Sequence, residues 1–214
     1  MITLPTDLKI ATANRIQLFD YRNDEDIINT KINLAKHTIS FLRAGTKEVL
    51  GDGKAIRLDH QRFLVMKSGR CLMTERVSDT DRRYHSILLF FDDSSVVDFL
   101  EKHQSLSKRP ENCPFYVFEY DDYIQHFVTS LAHLLTLPSS VQQRLLPTRF
   151  EEIMLYLTSK HGTTFLRALA RQTDDRLMKL ANVVENNKYN RLGLEELAFL
   201  CHMSVSTFKR EFFT

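Results

Sequence analysis

From Ala35 to Phe41 the side chains alternate. Ala35, His37, Ile39 and Phe41 fall on one face, and Lys36, Thr38 and Ser40 on the other, which is the period of a β-strand. Short apolar runs follow at Lys47–Leu50, Lys54–Leu58, Arg62–Met66, Cys71–Thr74 and Ser86–Phe91, divided by Gly, Ser and Asp. Gly51-Asp52-Gly53 separates the first two of these runs and punctuates a hairpin. Strands at this spacing predict a small sandwich or barrel. Asp92-Asp93-Ser94-Ser95 then supplies helix-start residues, and Val96, Val97, Phe99 and Leu100 line one stripe of a short helix.

The second half changes period. Tyr123, Phe127, Leu131 and Leu134 recur at helical spacing, and Leu137-Pro138-Ser139-Ser140 closes that helix. Ser140 with Gln143 reads as a capping box, and Thr148 with Glu151 reads as another just after Pro147. Ile153, Leu155 and Tyr156 carry an apolar face to Lys160-His161-Gly162, and a further helix spans about 163–170. Gln172-Thr173-Asp174-Asp175 offers a cap and two acids suited to a helix N-terminus, which marks a boundary. Leu177, Leu180, Ala181 and Val184 form the stripe of the helix that follows.

The ending carries the most specific pattern. Leu194, Leu197, Ala198 and Cys201 share one helical face, Met203 is apolar in a turn, and Ser204 is a good N-cap. In the last helix Val205, Phe208 and Phe212 lie on one side, while Ser206, Lys209, Arg210 and Phe213 lie on the other. A helix held from behind by aromatics, with hydroxyl, ammonium and guanidinium in front, has the chemistry that a major groove reads. The same spacing also fits an ordinary helix hairpin with a solvated charged face.

Composition narrows the setting. The 214 residues are 43% apolar with a net charge of +2, enough for a sizeable core but no basic field over the whole surface. Any nucleic-acid contact must come from a local patch. Cys71, Cys113 and Cys201 are odd in number and widely spaced, so neither a disulfide framework nor a zinc pair is indicated. MITLPTDLKI lacks a positive leader with an apolar run, and no stretch approaches the ~18 apolar residues of a membrane span, so a cytoplasmic protein is expected.

Leu194-Glu195-Glu196-Leu197-Ala198, the Met203-Ser204 turn exit and Phe208-Lys209-Arg210-Glu211-Phe212 together resemble the first helix-turn-helix of the bacterial AraC/XylS transcription regulators. The preceding helix, Asp174 to about Asn187, is similar to the one that opens that family's DNA-binding module. The alternating strands with Phe63–Met66 and Ser86–Phe91 resemble its N-terminal cupin-like regulatory domain. The resemblance implies an α+β chain: a small cupin-like β-barrel domain at 1–110, a helical dimerisation or linker region at 111–171, and the first half of the DNA-binding domain at 172–214. It implies that Ser206, Lys209 and Arg210 face the groove, that Ser204 and Thr207 sit nearer the phosphates, and that Phe208 and Phe212 pack behind.

Gly193 stands where the family often has Ser or Thr, and His202 where it often has Gly. The family's second helix-turn-helix is not among these 214 residues, and one module makes too few phosphate contacts to hold a specific site tightly. The partners implied are DNA, a small-molecule or protein effector, and a second copy of the chain, with no membrane. A sensing and dimerisation module that never touches DNA by itself is the rival reading.

Other chemistry is thinly supported. His37, His60, His85, His103, His126, His133, His161 and His202 include no His-x-His pair, so no metal site, cofactor or enzymatic reaction is expected. No Ser-His-Asp arrangement or phosphate loop stands out. His37, polar on an apolar strand face, is either satisfied by a backbone group or directed into an effector cavity. Arg43, Lys67 and Arg70 follow strands and are either solvated or available to an acidic effector.

Overall fold

The computed structural model describes residues 1–8, 14–51, 55–80, 82–103, 115–170, 176–188 and 190–213. Its strands form two five-stranded sheets. The first contains, in spatial order, β1 (Ile2–Leu4), β3 (Ile27–Leu34), β8 (Gly69–Arg76), β5 (Thr46–Leu50) and β6 (Ile56–Leu58). The second contains β10 (Phe115–Glu119), β7 (Arg62–Met66), β4 (His37–Ala44), β9 (Tyr84–Phe91) and β2 (Ile16–Asn23). Pairing is antiparallel throughout, apart from the parallel β1–β3 edge.

Among the described residues no ladder joins the two sheets. The expected closed barrel is therefore an open sandwich. Closure requires one continuous staggered ladder; here helices cover the outer face of the second sheet and part of that of the first instead. Gly45 carries the chain from β4 in one sheet to β5 in the other. It sits at φ 84°, and a Cβ there would fall 2.3 Å from the Arg76 carbonyl oxygen.

The described residues form seven α-helices, the first between β9 and β10 and the rest after β10: α1 (Asp93–Lys102), α2 (Asp122–Leu134), α3 (Ser139–His161), α4 (Thr164–Ala170), α5 (Arg176–Asn187), α6 (Leu194–Leu200) and α7 (Val205–Phe212). Strand alternation explains the layering. On β4, His37, Ile39 and Phe41 turn toward α1–α4, while Thr38, Ser40 and Leu42 turn toward the other sheet, so residues 37–42 are all buried. On β7, Phe63 and Val65 join the helix-side core, and Leu64 and Met66 join the inter-sheet core. Phe63 packs within 5.5 Å of Phe118 and 5.2 Å of Phe41 between ring centres. A third apolar cluster lies on the far side of the first sheet, where Leu50 and Leu72 meet Val183, Phe199, Leu200 and Phe208.

Side-chain caps hold the helix layer. Asp92 accepts from the Ser95 N–H at 2.8 Å and starts α1. Asp121 accepts from the Ile124 N–H at 2.9 Å and starts α2. It also accepts from Lys160 Nζ at 2.5 Å and from the Tyr156 hydroxyl, which ties α3 to the start of α2. Desolvation pushes the Asp121 carboxyl up, but these donors outweigh it and hold the group at about 2.

Several readings of the pattern change. β2 and β3 are real strands whose mixed polar and apolar residues hide the alternation, and Ala35 and Lys36 lie in the bend before β4. β10 falls in the segment assigned to helices, because its backbone pairs in register with β7 from Phe115–Met66 to Glu119–Arg62. Neither capping box in α3 forms. The helix begins at Ser139 without a side-chain cap and runs unbroken through Pro147, so Thr148 is interior. Gln142 donates to the Leu135 and Leu137 carbonyls and fixes the α2–α3 turn. On α5, Val183 and Asn187 are buried while Ala181 is exposed. Leu177, Cys113, the residues 172–175 and both expected domain boundaries lie outside what is described of backbone or side chain.

Pro147 leaves the Gln143 carbonyl without its helical N–H donor. Pro147→Ala restores that donor and raises stability by about 1–3 kcal/mol, net of the unfolded-state term, in urea unfolding at unchanged m-value.

Candidate functional site

Between the sheets lies a cavity of about 270 Å³. Leu4, Ile32, Leu34, Met66, Met73 and Leu88 give it apolar walls; Asp7, Tyr21, Thr30, Thr38, Lys47 and Glu75 are its polar lining. β5 alternates so that Lys47 and Val49 point inward and Leu50 points outward. Lys47 is directly opposite Glu75 in the β5–β8 register, and both are almost completely buried. Lys47 Nζ lies 3.2 Å from Glu75 Oε1 and donates to Ser40 Oγ at 3.1 Å; Ser40 Oγ is 2.9 Å from Ser86 Oγ.

An unpaired charge at this depth would cost several kcal/mol, so each member of the pair is required by the other. Removing one alone is worth about 3–5 kcal/mol of stability. Two phenols surround the pair. The Tyr84 ring centre is 5.9 Å from Lys47 Nζ, and Tyr21 meets Tyr84 edge-on at 5.8 Å. Among the described residues none meets hydrogen-bond geometry with the buried Tyr84 hydroxyl, which interacts with Glu75 and Ser86. Burial, then the negative charge of Glu75, raises both phenol pKa values, so both remain protonated donors.

His37 lines neither this cavity nor a wider groove of about 530 Å³ beside α1 and α3. Its Nδ1 accepts from the Ser68 N–H at 2.9 Å, and its Nε2 is 2.7 Å from Asp93 Oδ1 but poorly aligned for a hydrogen bond. Burial lowers its pKa, with Asp93 opposing. The ring thus joins β4 to the β7–β8 turn and the start of α1. Lys67 donates to the Ala168 carbonyl at 3.0 Å, and Arg70 lies 5.2 Å from the Phe199 ring centre. Charged residues of the wider groove are paired: Arg15 with Asp98 at 2.9 Å and Lys102 with Glu151 at 2.5 Å. Among the described residues no cluster of three or more His, Cys, Asp or Glu could hold a metal, and no helix is long and apolar enough to cross a membrane.

At the C-terminal end, α6 and α7 are joined by a four-residue turn. Glu196 Oε2 accepts from the Gly193 N–H at 2.8 Å, one half of a capping box whose other half glycine cannot supply. His202 adopts φ 59°, the left-handed conformation that glycine reaches without strain. Ser204 Oγ accepts from the Thr207 N–H at 3.1 Å and contacts the Ser206 and Thr207 hydroxyls, so it caps α7. Ser206, Lys209 and Arg210 share an exposed side, Thr207 is half-buried, and Arg210 lies 3.3 Å from Glu211.

Only one aromatic anchors this helix. Phe208 is fully buried, whereas Phe212 is 44% exposed and stacks on Phe208 at 5.6 Å. α6 rests on the outer face of the first sheet through the Arg70–Phe199 contact, Leu72, and a 3.6 Å Lys31–Glu195 pair. That ion pair is exposed and contributes little. Sequence reasoning missed Lys47 and Glu75. The available signal was a charged residue at the inward phase of a short strand, and it gains meaning only from the cross-strand register.

A family model described as the ExsA N-terminal regulatory domain matches residues 37–168, more than half of the chain. No curated protein sequence matches it. Among solved structures, an apo single-substitution variant of ToxT from Vibrio cholerae superposes with TM-score 0.55 at 9% identity, over 92% of this chain and 74% of that one. ToxT from Vibrio cholerae bound to (E)-4-(8-methylnaphthalen-1-yl)but-3-enoic acid superposes with TM-score 0.51 at 11% identity, over 93% and 76%. At such identities the likeness is one of fold: two sheets with accompanying helices.

Although His202 is partly exposed to solvent, partial desolvation, then the like charges of Lys179 and Arg70, lowers its pKa from 6.5 to about 4, a shift that solvent screening reduces. The unfolded chain therefore binds the extra proton first as pH falls. The associated stability is complete above about 6.5 and is lost as pH drops toward 4. Asn also tolerates φ > 0. His202→Asn should accordingly flatten the fall in Tm between pH 7 and 5, measured by thermal melts of the two proteins.

Proposed function

The chain belongs to the family of the ExsA N-terminal regulatory domain, and from that premise we propose an AraC/XylS-type transcription regulator in which an effector-sensing β domain controls a DNA-reading helix pair. The observation that carries this reading is the double use of three strands. β3, β5 and β8 line the inter-sheet cavity with Ile32, Lys47, Met73 and Glu75. From their opposite faces they hold α6 and its surroundings with Lys31, Leu50, Arg70 and Leu72.

A ligand that fills the cavity changes the spacing or twist of these strands and thereby the seat of α6. Its leverage is limited to its difference in affinity for the two arrangements, so the mechanism is a population shift. The acid carried by ToxT, which shares this fold, lends support to a small-molecule effector.

In this reading α7 enters the major groove. Ser206, Lys209 and Arg210 address base edges, Thr207 contacts phosphate, and Ser204 contributes through its cap and the exposed helix N-terminus. A second copy of the chain would place two such readers on neighbouring half-sites. Leu137, Val141 and Leu145, exposed at intervals of four, supply an apolar stripe for that contact.

Arg210→Ala in the intact regulator, carrying both DNA-reading modules, should cost ~1–3 kcal/mol at one base position, read by competition binding to a panel of single-base operator variants. An unchanged base preference overturns the DNA-reading role. Sedimentation should give a dimer that Val141→Asp/Leu145→Asp dissociates; a monomer at high concentration removes the dimer.

A further inference from the structure

The charges around the inter-sheet cavity are already balanced or in acidic excess. Among the described residues its lining contains one ammonium, Lys47, against two carboxylates, Glu75 and Asp7. Lys47 is committed on two sides, to Glu75 Oε1 at 3.2 Å and to Ser40 Oγ at 3.1 Å. Asp7, at the rim, accepts from the Thr3 N–H at 2.6 Å and brings further negative charge to the mouth.

An entering carboxylate has two courses, and both are unfavourable. It can take Lys47 from Glu75, which leaves a 5%-exposed carboxylate without its counter-ion. Alternatively it can accept from the Tyr21 hydroxyl or the third N–H of Lys47 while Lys47 stays with Glu75, which sets a second, uncompensated carboxylate beside the first in a buried site. An uncharged hydroxyl or carbonyl escapes both penalties: the Tyr21 hydroxyl in the lining can donate to it, and Thr38 Oγ1, which donates to the Lys36 carbonyl at 3.2 Å, can still accept from a hydroxyl.

Resting on the sensing reading above, we infer that this cavity selects a small uncharged amphiphile, an aliphatic alcohol or ketone, and rejects carboxylates. Its volume of about 270 Å³ lies just below the ~300–1,000 Å³ of ordinary ligand pockets, which suits a short chain. Glu75 is on this view the specificity-determining residue: it withholds Lys47 from acidic ligands.

The test is isothermal titration of the full chain at pH 7 with octan-1-ol and with octanoate, which differ in the charged head. The wild-type protein should bind octan-1-ol roughly tenfold or more tightly than octanoate. Glu75→Gln releases the Lys47 ammonium and should reverse that order. If Glu75→Gln does not fold, Lys47→Met/Glu75→Leu removes both charges and should keep octan-1-ol while still rejecting octanoate. Octanoate binding as well as or better than octan-1-ol to the wild type overturns the inference and leaves the sensing reading standing. An unchanged order in folded Glu75→Gln also overturns it. Binding of neither probe to the wild type overturns the inference and the sensing reading together.

Discussion

The constraint on which the molecule depends is that the central strands β4, β7 and β8 have no face given over to water. A strand turns alternate side chains to opposite sides, so a sheet buried on both sides belongs to two interiors at once. β4 and β7 divide their residues between the helix-side core and the inter-sheet core. β5 and β8 divide theirs between the inter-sheet core and the seat of α6. Close-packed interiors respond to a shift of one wall by moving the other. The layered order of helices, sheet, sheet and helices therefore brings a cavity and a distant helix pair within one strand thickness of each other.

Within that arrangement the Lys47–Glu75 pair is the costly element. A pair of well-packed apolar residues would stabilise the sandwich at least as well, because the ions give up hydration that their mutual attraction barely offsets. What the pair adds is definition. Lys47 fixes Ser40 and through it Ser86, binding the two sheets across the cavity, while the neighbouring phenols stay protonated. Polar contacts of fixed direction keep the cavity open to a ligand where side chains of pure hydrocarbon would tend to fill it.

The C-terminal helices are held more lightly than the sandwich. α7 depends on one buried ring, Phe208, and on the Ser204 cap; its second ring, Phe212, covers the first from outside and is itself half in solvent. α6 depends on the Arg70–Phe199 contact and two leucines of the sheet. An element meant to change its seat is drawn from the less stable end of a structure. The left-handed turn at His202 and the absence of a side-chain cap at Gly193 are consistent with that economy.

Local pattern sufficed for features that arise from neighbouring residues. Asp92 as the start of α1, the strand runs from Arg62 and Ser86, the Phe127–Leu131–Leu134 stripe of α2 and the Ser204 cap of α7 are all set within one or two turns of chain, where propensity, period and capping act. The stronger C-terminal motif was legible for the same reason, since a helix pair and its turn lie within about twenty residues. Tertiary structure alone decided the rest. β10 is a strand because β7 lies beside it, α3 continues through Pro147 because its other residues pack on the sheet, and Phe212 stays exposed because none of the described residues covers α7 beyond Phe208. Most of all, Lys47 and Glu75 are separated by 28 residues and become a pair only through the β5–β8 register. One sequence position of slip in either strand would turn its charge to the opposite face and leave the other without its partner, because side-chain direction in a sheet is fixed by pairing between strands and not by the residues of either strand alone.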